Sequence, residues 1–89
     1  MPAIQGSPRA YQCLLFVAEH PGTSNREIAN AIGVSHKSQI SRLLSQLLKE
    51  GLAVKRSQGA GKRNEWRLTT FGEELARTLS KNGFLLVNS

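Results

Sequence analysis

Apolar residues in this 89-residue chain recur first at helical and then at alternating spacing. Tyr11, Leu14, Leu15 and Ala18 share one helical face. Before them, Ser7-Pro8 supplies a serine N-cap and a proline at the first helical position, where its missing N–H costs nothing. Pro21-Gly22 stops the run, so the pattern predicts a first helix over about 8–19. Ser24-Asn25-Arg26-Glu27 has the capping-box form, serine with glutamate three residues on, and opens a second helix that buries Ile28, Ala31 and Ile32. Gly33 supplies the left-handed position that closes it. A helix of roughly eight residues is not stable alone and must dock on its neighbours. Ser35 is the expected N-cap of a third helix, which turns Ile40, Leu43, Leu44, Leu47 and Leu48 inward and runs to Glu50 before Gly51. A short helix, a glycine turn and a longer helix make a helix-turn-helix.

After Gly51 the period becomes two. Leu52 and Val54 are expected on one face with Ala53 and Lys55 opposite, and Trp66 and Leu68 on one face with Glu65 and Arg67 opposite. The stretch between, Ser57-Gln58-Gly59-Ala60-Gly61-Lys62-Arg63-Asn64, is too polar and glycine-rich to pack, and reads as the basic tip of a hairpin. Thr69 or Thr70 then caps a fourth helix with Phe71, Leu75, Ala76 and Leu79 inward and Glu73 and Glu74 in the first turn, where the helix dipole favours acids. Asn82-Gly83 ends it. The expected organisation is a lead-in over 1–7, one α+β domain over 8–82, and an apolar tail over 83–89 that contains Phe84-Leu85-Leu86-Val87. Such a tail either folds back on the core or buries itself against a second copy, which makes a homodimer the expected assembly.

Charge sharpens this picture. Lys37, Arg42, Lys49, Lys55, Arg56, Lys62, Arg63 and Arg67 face only Glu50 and Glu65 in sequence, so the whole net charge of +6 lies between positions 36 and 67. Elsewhere Arg9, Arg26, Arg77 and Lys81 cancel Glu19, Glu27, Glu73 and Glu74. Charge confined to about a third of a chain suggests a surface that meets a polyanion. A chain this short buries about 60–65% of its unfolded surface, too little for a large cofactor cleft, and no apolar run approaches a membrane span. The absence of a charged-then-apolar leader suggests the cytoplasm. One cysteine, Cys13, allows no internal disulfide or multi-cysteine zinc site, and His20 and His36 lack metal-ligand spacing. No nucleophile-base pair, phosphate loop or paired carboxylate stands out, so neither enzyme chemistry nor a cofactor or metal is expected.

The order of a helix, a short helix, the Gly33-Val34-Ser35 turn, a long helix ending Leu47-Leu48-Lys49-Glu50-Gly51-Leu52-Ala53, a basic hairpin and Trp66-Arg67-Leu68-Thr69-Thr70-Phe71-Gly72 resembles the winged-helix core of MarR-type regulators. It is also similar to winged-helix modules appended to some larger bacterial regulators. The resemblance covers about 8–79 and implies a winged helix-turn-helix: a three-helix core, a wing hairpin of two or three strands and a C-terminal helix. It further implies transcriptional regulation through DNA. The segment Ser35-His36-Lys37-Ser38-Gln39 before Ile40 is one residue longer than the turn usual in that family. Family members dimerise through long helices flanking this core, with ligand pockets near the dimer region.

The residues support DNA binding independently of that resemblance. With Ile40 at the centre of the buried face and about 100° per residue, Ser38, Arg42, Ser45 and Lys49 fall opposite it, flanked by Gln39, Ser41 and Gln46. This face, which Lys37 opens, has no acid before Glu50 and suits the major groove of double-stranded DNA. Arg42 can donate two bonds to guanine, Gln39 can pair with adenine, and the serines can reach bases or phosphates. The recognition helix is thus expected over about 35–50. In the wing, over 57–64, Gly59 and Gly61 let the backbone approach a phosphate, while Lys62, Arg63 and Asn64 contact phosphates or enter the minor groove, with Arg56 and Arg67 as backbone contacts. A protein-interaction module of the same fold is the alternative, and a duplex-RNA or Z-form binder a further one; the placement of charge favours nucleic acid over protein. Trp66 reads as a core or wing-base anchor, because Leu68 shares its face, and Cys13 as a buried, inert thiol.

Overall fold

In the computed structural model, which describes residues 8–57 and 64–81, the elements run α1 (Pro8–Glu19), α2 (Asn25–Ile32), α3 (Lys37–Lys49), β1 (Ala53–Ser57), β2 (Asn64–Leu68) and α4 (Thr70–Lys81). This is the α+β winged helix-turn-helix expected from the sequence. The expected tails and the wing tip over 58–63 lie outside the described residues, as does Ser7.

Helix α1 packs against α2, α3, α4 and β2. Its buried residues are Ala10, Cys13, Leu14, Leu15 and Val17, whereas Tyr11 is half-buried and Ala18 exposed. A single apolar stripe therefore misplaces the inward face: a helix covered on several sides buries more of its circumference than one stripe describes.

Helix α2 begins as its capping box requires. The Ser24 hydroxyl accepts from Glu27 N–H at 3.2 Å, and Ser24 N–H donates to Glu27 Oε1 at 3.0 Å. The same carboxylate oxygen accepts from the buried Thr23 hydroxyl at 3.1 Å. Gly33 ends the helix at φ 76°, a left-handed conformation in which a side chain is strained. Ile28 is buried and Ile32 packs against the core, as expected, but Ala29 takes the place of Ala31, which is exposed.

Helix α3 starts later than Ser35 suggested. Its N-cap is His36, which makes no side-chain capping bond, and Gln39 and Ile40 N–H close on the His36 carbonyl. Val34 is buried in the core, and that anchor sets the turn against the capping preference of the exposed Ser35. Ile40, Leu44 and Leu47 are buried, Leu43 is partly so, and Leu48 lies at the surface. At the other end Gly51 N–H donates to Leu48 O and Leu52 N–H to Leu47 O, with Gly51 at φ 74°. These are the paired bonds of a Schellman motif.

That motif also corrects the strand phase. Leu52 closes the helix cap and is buried there, so the alternation begins at Ala53, also buried, and Val54 is 50% exposed. The antiparallel register pairs Ala53 with Leu68, Val54 with Arg67, Lys55 with Trp66, Arg56 with Glu65 and Ser57 with Asn64. Ala53 and Lys55 therefore share a face with Trp66 and Leu68, not with the positions opposite. On the other edge of β2, Trp66 N–H donates to Thr23 O and Gly22 N–H to Trp66 O, an isolated bridge beside the two-stranded sheet.

For α4 the N-cap is Thr69, whose hydroxyl accepts from Gly72 N–H at 3.0 Å and donates to Gly51 O at 2.7 Å. Gly72 and Ala76 are buried, with Leu75 and Leu79 packed against the core. Phe71, expected inward, is 53% exposed, because Gly72 occupies the innermost position against Leu52.

Candidate nucleic-acid interface

The amphipathic sequence of α3 leaves its outer face to solvent. Lys37, Ser38, Gln39, Ser41, Arg42 and Ser45 are exposed, and Gln46 is half-buried at the margin. With Ile40, Leu44 and Leu47 anchored in the core, a residue's rotation about the helix decides what it presents, and Ser38, Arg42, Ser45 and Lys49 stand farthest from the anchors. The inward face matches the sequence expectation except at Leu48.

The wing strands add cations on one side. Arg56 and Arg67 are exposed on the sheet face away from Trp66, and Asn64 is half-buried. Lys62 and Arg63 lie outside the described residues.

Between helix and wing lies an open concavity of about 740 Å³ lined by Asn25, Arg26, Ser35, His36, Lys37 and Asn64 together with neighbouring residues. It joins the first turn of α2, the α2–α3 turn, the start of α3 and the first residue of β2. Of these residues only Lys37 and Asn64 were expected at the interface. Arg26 belongs to the part of the chain where charges cancel in number, and His36 has no motif around it, so no local signal identifies either.

Trp66 anchors the base of the wing, as its pattern suggested. It is 2% exposed, and its indole N–H donates to Asn25 Oδ1 at 2.7 Å. Cys13 is buried in the core, and burial pushes its thiol up from 9.0 to about 12, against a smaller downward pull from the Arg9 guanidinium. The thiolate, which is the reactive form, is then scarce at neutral pH. Among the described residues no group of three His, Cys, Asp or Glu side chains could hold a metal ion, and no helix is long and apolar enough to cross a membrane.

No curated protein sequence matches the chain. Among solved structures it is similar to the PcaV transcriptional regulator from Streptomyces coelicolor, with 32% identity and a TM-score of 0.73 over 84% of this chain and 54% of that one. In fold it is also similar to the transcriptional regulator SlyA, at 22% identity and TM-score 0.76 over 82% of this chain and 51% of that one. The same holds for Lactococcus lactis ZitR, at 18% identity and TM-score 0.76 over 88% and 53%. The chain spans about half the length of these structures. The family model described as the MarR family matches residues 7–63, more than half of the sequence. With that match and the four-helix, winged architecture together, the chain belongs to the MarR family.

Proposed function

We propose that this chain is a non-enzymatic, sequence-specific binder of double-stranded DNA that acts as a transcriptional regulator or as the DNA-reading module of one. The observation that carries this reading is the exposed, acid-free face of α3 beside a cation-lined concavity and a basic wing. Lys37, Ser38, Gln39, Ser41, Arg42, Ser45 and Gln46 read the major groove, with Arg42 set to give guanine two hydrogen bonds. Arg56, Lys62, Arg63, Asn64 and Arg67 engage phosphates or the minor groove and set orientation more than sequence preference. The binding unit is the domain over 8–82, working in the cytoplasm as a homodimer without cofactor or metal. Membership of the MarR family and similarity to PcaV, a transcriptional regulator, support the reading.

The test is selection of a site from a random duplex pool, followed by titration of that duplex at two salt concentrations with single-stranded DNA and duplex RNA as competitors. A steep loss of affinity with salt and preference for the selected duplex are expected. Failure to bind any duplex leaves the protein-interaction reading in its place.

A further inference from the structure

Trp66 in β2 ties the wing to the segment that leads into α2. The backbone of Trp66 exchanges hydrogen bonds with Gly22 and Thr23 at 2.8 and 2.9 Å, and its indole passes into the core to reach the side chain of Asn25, the first residue of α2. An indole N–H can only donate, so Asn25 must offer its oxygen, and the bond joins residues 41 positions apart. Backbone pairing on both edges fixes the plane of β2. The indole bond adds a side-chain tie between that strand and the start of α2, which backbone pairing does not make. Arg67 follows Trp66 directly, Arg56 sits on β1 opposite Glu65, and Asn64 lies two residues before Trp66 on the same face, at the edge of the concavity that Asn25 also lines.

We infer that Asn25 is a positioning residue for DNA binding: by holding the Trp66 indole it locks the wing strands onto the start of α2, so that Arg56 and Arg67 meet the duplex backbone while α3 occupies the major groove. This rests on the DNA-binding reading above. The residue does not itself contact the duplex; it acts through Trp66. Nothing in the local sequence marks it, because a serine-asparagine pair at a helix start is ordinary capping chemistry.

The bond and its consequence can be measured separately in the full chain. Trp66 is the single tryptophan, so one indole N–H resonance reports the bond. In the parent its hydrogen exchange is slow, and Asn25→Ala accelerates it. With a duplex selected from a random pool, Asn25→Ala and Trp66→Phe are each expected to lower the log-log salt slope by about one to two, the count of phosphates that Arg56 and Arg67 would neutralise. The double variant loses no more than either alone, since both break one bond. A role confined to stability would lower the melting temperature of Asn25→Ala and leave the slope at the parent value, which would overturn the inference. A greater loss in the Asn25→Ala/Trp66→Phe double variant than in either alone would overturn it too, because Asn25 would then be touching the duplex. Unchanged indole exchange in Asn25→Ala excludes the bond itself. If the parent binds no duplex while the indole is protected, the DNA-binding reading fails and takes this inference with it.

Discussion

Gly72 in α4 lies so close to the backbone of Leu52 that a Cβ at this position would collide with the Leu52 carbonyl oxygen. That oxygen also accepts the N–H of Thr69, so the chain just after α3 and the start of α4 are pressed together and hydrogen-bonded at one point. Glycine in a helix interior ordinarily costs about 1 kcal/mol relative to alanine. Here the close approach reverses the preference, since the atom that a side chain would meet is backbone and cannot rotate away.

Gly72→Ala is therefore expected to destabilise the domain by about 3 kcal/mol, the upper end of overpacking at a buried site. Chemical denaturation of parent and variant measures it. Gly33→Ala, where a Cβ would have open space but the backbone is left-handed, should cost less, about 1–2 kcal/mol. Equal or greater stability of Gly72→Ala would show that α4 shifts freely over Leu52.

Cys13 should resist thiol reagents in the native protein and react quickly once unfolded, because the group is buried and its thiol raised to about 12. The same shift has a pH consequence. The unfolded chain releases this proton near the ordinary 9.0 while the folded chain keeps it, so above that value the unfolded state binds fewer protons and stability falls. The loss begins near pH 9 and runs to about 12, with none of it present below pH 9. Cys13→Ser, which cannot ionise there, should lose this part of the alkaline destabilisation and keep its affinity for the duplex. Rapid labelling of the native thiol, or loss of binding on mild oxidation that the serine variant prevents, would instead identify a redox sensor.

Arg42→Ala tests base readout. The side chain is exposed on the outer face of α3, so its loss should cost about 1–3 kcal/mol on the selected duplex and much less on random DNA. Preference should collapse towards background, and circular dichroism should report an intact fold. An equal loss on both duplexes would move Arg42 to the phosphates.

Replacing both Lys62 and Arg63 with alanine tests the complementary assignment. Affinity for selected and random duplexes should fall alike, and the log-log salt slope should drop by up to about two per bound protomer. A change in sequence preference with an unchanged slope would contradict phosphate contact by the wing.

Two protomers on a palindromic duplex would place their recognition helices about one helical turn apart. Sedimentation of the chain with such a duplex should give a 2:1 complex. A monomer both free and on DNA would reject the homodimer.

Much of the fold is legible in the sequence because it is made by local chemistry. Ser24 and Glu27 cap each other within a single turn, Gly33 and Gly51 supply left-handed backbone where helices end, and the change of period after Gly51 marks the passage from helix to strand. The outward face of α3 follows as directly from its inward one, and the placement of charge needs no coordinates. Other features depend on which element lies across from a residue. Val54 and Phe71 are exposed while their neighbours Ala53 and Gly72 go inward, a rotation of one position that the apolar pattern tolerates equally well in either sense. Burial of Val34 moved the start of α3 past Ser35, since the energy of placing an apolar side chain in the core exceeds that of a capping bond. The meeting of Arg26 and His36 with Asn64, and of Asn25 with Trp66, joins residues tens of positions apart. Sequence alone determined the elements, the capping of α2, the glycine end of α3 and the charged surface, because those arise within a few residues of backbone. Tertiary structure decided the phase of each buried face and the partners across the concavity, because these depend on packing between elements that no local pattern specifies.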